Sequence, residues 1–157
     1  MTDHAGLARK LIDDNLYMAL GTADATGMPW VSPVFFTAHE YTKFYWVSGP
    51  ETRHSRNIAS RPDVGIAIFD SHAVIGAAEA VYISATAQQL PDEELEEAAA
   101  IYNSRLPAQK HFNRSDLVLP ALFRLYRAAA TEHSVLIRGG DPEYGQGADS
   151  RLTVSLT

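Results

Sequence analysis

The chain has 157 residues, a length that suits one domain and lets it hide roughly two thirds of its unfolded surface. With 46% apolar and 20% charged residues, and only 10 Gly and 8 Pro, it falls outside the disordered and fibrous classes. A formal charge of −6 disfavours a nucleic-acid partner, and the absence of cysteine excludes disulfides, thiolate metal sites, iron–sulfur clusters and a cysteine nucleophile. Redox chemistry, if any, must come from a cofactor. No run reaches the ~18 apolar residues of a membrane span, and Met1-Thr2-Asp3-His4 lacks the basic-then-apolar start of a secretion signal. A cytoplasmic protein with no membrane partner is therefore expected.

In chain order, Leu7, Leu11 and Ile12 recur at helical spacing behind a cap at Thr2 or Asp3, predicting a short helix that ends at Asp13-Asp14-Asn15. Residues 16–23 and 28–37 read as a hairpin around Asp24-Ala25-Thr26-Gly27. The aromatic and β-branched run Phe44-Tyr45-Trp46-Val47-Ser48 follows as a third strand. Gly49-Pro50-Glu51-Thr52 breaks the sheet pattern, and Thr52 can cap a helix over residues 53–60 that Pro62 stops. Residues 63–69 and 80–89 resume as strands. Pro91 and the acidic residues after it start a helix to about Ser104, with negative charge at its positive dipole end. Residues 106–119 read as loop with one helical turn after Ser115, residues 123–137 as one or two strands, 139–148 as a Gly-rich loop and 151–156 as a last strand. Six or seven strands joined mostly by short connections predict a single mainly β domain, an antiparallel barrel with added helices.

Dinucleotide, Walker, zinc-protease and serine-hydrolase motifs are all missing, and the six histidines show no paired metal spacing. The informative stretch lies between Trp30 and Phe69. Pro33 sits inside Trp30-Val31-Ser32-Pro33-Val34-Phe35-Phe36 and removes a ladder donor, which places that strand at an edge, bulge or opening. Ser48-Gly49-Pro50-Glu51-Thr52-Arg53-His54-Ser55-Arg56-Asn57 joins a strand end to a capped helix start, where free amides, hydroxyls and cations can surround one phosphate. The same residues also fit an ordinary solvated helix, with Arg53 or Arg56 pairing to Glu51 or Asp63.

The hairpin, the third strand, the segment Ser48 to Asn57 and then Arg61-Pro62-Asp63-Val64-Gly65-Ile66-Ala67-Ile68-Phe69 together resemble the flavin-binding split-barrel family that includes pyridoxamine 5′-phosphate oxidase. The resemblance spans about residues 7 to 90. It implies a homodimer with FMN in a groove at the interface and a small-molecule substrate. It further implies that Trp30, Val31, Ser32, Pro33 and Val34 flank the ring, Val47 and Ser48 approach the ribityl phosphate, and Thr52, Arg53 and His54 bind that phosphate. Members that oxidise vitamin B6 carry basic residues at both ends of the second strand, where this chain has Trp30 or Val31 and Phe35 or Phe36. Their phosphate lysine is replaced by His54, and of their C-terminal pattern only Arg151-Leu152 remains, so vitamin B6 oxidation is not expected. Similar split barrels accept a deazaflavin coenzyme in the same groove, which makes a deazaflavin-dependent reductase the second reading; a third, from another class, is a non-catalytic flavin- or haem-binding protein with His133 or His54 as haem-ligand candidates. Trp30, Phe35, Tyr82 and Tyr126 are equally readable as substrate walls and as core or dimer contacts.

Overall fold

The computed structural model describes residues 1–157. Eight strands run in chain order: β1 (Tyr17–Ala23), β2 (Pro29–Phe35), β3 (Thr37–His39), β4 (Lys43–Ser48), β5 (Asp63–Phe69), β6 (Ala80–Gln89), β7 (Arg124–Ile137) and β8 (Ser150–Val154). Three α-helices join them: α1 (His4–Asp14), α2 (Arg53–Ser60) and α3 (Leu95–Asn103). Asp24 makes the β1–β2 turn, its carboxylate accepting from the amides of Thr26 and Met28 at 2.8 and 3.0 Å while Gly27 takes the left-handed φ of 91°.

Every pairing is antiparallel, in the order β2-β1-β5-β6-β7-β4-β3 with β8 added on β7. One 14-residue strand makes this possible: the first part of β7 bonds to β4 and the last part to β8, so two strands share one of its edges. The sheet curls into a barrel whose ladder is not closed between β2 and the β4–β3 pair, leaving a split. Pro33 stands opposite Ala19 on β2, and β2 is an edge strand, as the missing proline donor requires.

The barrel encloses a cluster of 22 buried residues, plugged at one end by Ala8, Leu11 and Ile12 of α1. A second cluster of eight buried residues lies on the outer face of β4 and β7, where Tyr45 and Leu125 meet Leu95, Ala98 and Tyr102 beneath α3. Each fully buried aliphatic or aromatic side chain contributes about 1.5–3 kcal/mol, so α3 is held mainly by this apolar seam.

Three boundaries differ from the sequence reading, the last strand ending at Val154 and not at residue 156. The second strand stops at Phe35, because Phe36 turns into the core and Thr37, whose hydroxyl donates to the Tyr102 carbonyl at 2.8 Å, opens the short β3, which brings the count to eight strands where six or seven were expected. The helix expected from Pro91 begins as a 3₁₀ turn at Asp92–Glu94 before α3. Residues 106–119 hold two 3₁₀ turns, Ala108–Lys110 and Arg114–Asp116. The Gly-rich loop closes on itself through the Gly147 amide and Gly139 carbonyl, 2.9 Å apart, and a Cβ at Gly145 would collide with the Asp141 backbone. No helix is long and apolar enough to cross a membrane.

Candidate functional site at the corner of β4 and α2

The chain leaves β4 at Ser48, turns through Gly49 to Glu51 and enters α2 behind Thr52. Thr52 Oγ1 accepts from the Ser55 amide at 3.3 Å and donates to the Gly49 carbonyl at 3.0 Å, with Ser55 Oγ 2.7 Å away. This cap fixes the first turn. The amides of Arg53 and His54 find no acceptor in the chain, which leaves partial positive charge at the helix start.

The His54 ring is buried and ties the split together. Its Nε2 lies 2.8 Å from Ser48 Oγ on β4 and 3.3 Å from the Thr52 cap, and its Nδ1 lies 3.3 Å from Ser32 Oγ on β2. With the proton on Nδ1, the ring donates to Ser32 and accepts from Ser48; the hydroxyls can exchange these roles with the tautomer. Burial holds the His54 pKa below the usual imidazole value. The ring is therefore a neutral hydrogen-bonding hub near pH 7, the form that the partial positive charge of the helix start also favours.

Positive charge comes from Arg53, exposed at the first position of α2, with its guanidinium 4.2 Å from the Trp30 ring centroid. Behind it, the buried Asn57 donates to Thr22 Oγ1 at 3.0 Å, and Arg61 donates to the Ala25 carbonyl at 2.9 Å. These bonds anchor α2 to the β1–β2 hairpin and so fix the corner relative to Trp30.

Of the residues singled out from sequence, Trp30, Ser32, Ser48, Thr52, Arg53 and His54 converge here. Val34 is buried in the barrel core. By strand alternation Val31 and Pro33 face outward from β2, and Val47 packs on the outer cluster beneath α3. Tyr126 is core, stacked on Trp46 at 5.7 Å, and Tyr82 lies on the outer face with the Arg151 guanidinium 4.0 Å from its ring centroid. His133 is buried at the other end, its Nε2 donating to the Tyr41 carbonyl at 2.7 Å. No group of three or more His, Asp or Glu side chains is placed to hold a metal ion.

The sequence reading missed a cleft of about 940 Å³ between the end of β2 and residues 105–123. Its wall is an edge-to-face chain of rings: Tyr17 to Phe35 (6.2 Å), Phe35 to Tyr102 (5.9 Å), Tyr102 to Phe112 (6.0 Å) and Phe112 to Phe123 (5.9 Å). Arg105 braces its floor, donating to the carbonyls of Phe36, Asp13 and Asn15 at 2.9, 3.0 and 2.6 Å. No local pattern announces it, since the rings come from three separate parts of the chain.

A sequence profile described as pyridoxamine 5′-phosphate oxidase matches residues 6–132, a span that contains both the corner and the cleft. The chain belongs to the pyridoxamine 5′-phosphate oxidase family. Solved structures share the fold. The haem-binding protein from Mycobacterium smegmatis superposes with a TM-score of 0.72 at 21% identity, over 98% of this chain and 59% of that one. This chain thus spans less than two thirds of that protein. A general stress protein 26 relative of the pyridoxinephosphate oxidase family from Clostridium acetobutylicum gives 0.67 at 12% identity, covering 96% and 94% of the two chains. An F420 reductase gives 0.56 at 16% identity, covering 81% and 95%. No curated protein matches the chain in sequence.

Proposed function

We propose that the chain binds FMN in a groove between two copies of itself and works as a flavin-dependent oxidoreductase on a small molecule. The observation that carries this reading is the β4–α2 corner in a member of this family: unpaired amides at Arg53 and His54 and an exposed guanidinium, in a turn braced by the Ser48 and Thr52 hydroxyls. That donor set fits a phosphate monoester. Trp30 and Ser32 of β2 and Ser48 of β4, the members of the two strand segments that turn toward the corner, would flank the ring and its ribityl chain, with Arg53 held there by its stacking on Trp30.

A phosphate beside the neutral His54 would favour the protonated ring, so binding should take up a proton and tighten as pH falls toward the imidazole range. The bound flavin supplies the hydride chemistry, and the protein contributes position and electrostatics. The outer face of β1, β5 and β6 carries Ala19, Gly21, Gly65, Ala67 and Ser84, small side chains over which a second copy can approach closely enough to complete the groove.

Two other cofactors have likenesses behind them. The Mycobacterium smegmatis protein favours haem, but both nitrogens of His54 face hydroxyls and Nε2 of His133 is already bonded to a carbonyl. The F420 reductase favours a deazaflavin, whose longer anionic tail asks for more cations than Arg53 alone. Absorbance of the purified protein, mass analysis of what denaturation releases, and parallel titrations with FMN and deazaflavin separate the three. The expected result is a flavin band and FMN binding. A Soret band, or a colourless protein indifferent to FMN, would overturn the reading.

A further inference from the structure

We propose that the aromatic cleft beside the corner binds planar aromatic carboxylates and so sets the substrate class of the flavin reaction, a step that rests on the function proposed above. At about 940 Å³ the cleft has the size of a small-molecule site. It adjoins the corner at two points. Phe35, in its wall, follows Val34 directly on β2, and the Leu122 carbonyl of its rim lies 3.7 Å from where a Cβ on Gly49 would stand.

The wall selects the shape. Edge-to-face rings from Tyr17 to Phe123 present apolar faces and edges suited to a flat ring, and Leu122 is 80% exposed at the mouth with nothing of this chain covering it.

The charges select the anion and its place. Arg105 spends its guanidinium on three carbonyls, with its carbon 4.9 Å from the Phe36 ring centroid, so it offers no open fork for a phosphate deep in the cleft. His111 Nε2 donates to the Leu106 carbonyl at 2.9 Å. The Asp116 carboxylate accepts from the Asn113 amide at 2.7 Å. The Lys110 ammonium forms neither a hydrogen bond nor an ion pair with the chain and lines the rim. One free cation at the mouth of an aromatic slot fits one monoanionic group on a ring inserted beyond it.

The test titrates FMN-loaded and FMN-free protein with 2-naphthoate, its neutral alcohol 2-naphthalenemethanol, and pyridoxal 5′-phosphate, and repeats this with Lys110→Gln and Leu122→Asp. Naphthoate should bind roughly fivefold tighter than the alcohol, the scale of one rim ion pair, and tighter than the phosphate. Lys110→Gln should erase the preference for the acid, and Leu122→Asp should abolish binding of both naphthalenes, with FMN affinity within about twofold of the parent in each variant. Both positions are exposed, so neither change threatens the fold. Equal binding of acid and alcohol, or a preference that survives Lys110→Gln, overturns the proposal. Competition between naphthoate and FMN overturns it by making the cleft the flavin ring's own seat. Loss of all binding because a second copy closes the cleft overturns it as well. FMN affinity in the same samples reports separately on the flavin reading: naphthoate bound without FMN removes the substrate role and leaves the site.

Discussion

The corner and the cleft are neighbours built on opposite plans. At the corner, Ser48, Thr52, His54 and Ser55, four residues of one short segment, form with Ser32 across the split a half-buried polar network in which each hydroxyl has a partner. In the cleft, rings gathered from Tyr17 to Phe123 form an apolar wall, open at the mouth. A polar site must be pre-organised by specific bonds, because any unpaired buried group is costly; an apolar one can stay open to solvent until something fills it. The corner should therefore respond sharply to single polar deletions, and the cleft rim should not.

The largest stability effect belongs to His54→Ala. It removes the one group that bonds Ser48, Thr52 and Ser32 together, and should lower unfolding stability by about 2 kcal/mol in urea titrations. A wild-type midpoint would mean that the hub does not hold the split.

The second effect is pH. Burial keeps His54 and His133 below the unfolded imidazole value of 6.5, so the unfolded chain binds protons more readily than the folded one. The stability tied to these neutral rings is fully present above about pH 6.5 and is lost as pH falls below it toward the folded values. Urea midpoints measured from pH 7.5 down to 5 should decline, and His54→Gln should flatten the slope. An unchanged slope in that variant would place the effect elsewhere. The smallest effect sits on the cleft side: Leu122→Asp should shift stability by no more than about 0.5 kcal/mol, because an exposed side chain gives up no packing.

What could be read from sequence follows the same division. The Asp24 to Gly27 turn, the edge position of Pro33 and the Thr52 cap are local signals, each enforced by the backbone chemistry of a few adjacent residues. The strand Thr37–His39 was hidden because a bend at Phe36 depends on the core, not on a turn residue. Val31, Pro33 and Val47 belong to the right strands but alternate to the outer face, so membership in a motif did not guarantee a place at the corner. The charge state of His54 was legible only in part, since its burial depends on Ser32 from a distant strand. Residues 106–119 carry no periodicity, and the cleft they complete exists only after α3 docks.

The claim on which the rest depends is that Arg53, and not its neighbour one helical turn along, faces the phosphate. FMN titrations of the parent, Arg53→Ala and Arg56→Ala test it directly. Both arginines are exposed on α2, but only Arg53 stands at the capped turn over Trp30. Arg53→Ala should weaken FMN about tenfold, the scale of one charge-assisted contact, and Arg56→Ala should leave it within about twofold. Equal dissociation constants for the two variants would contradict the assignment of the corner as the phosphate seat.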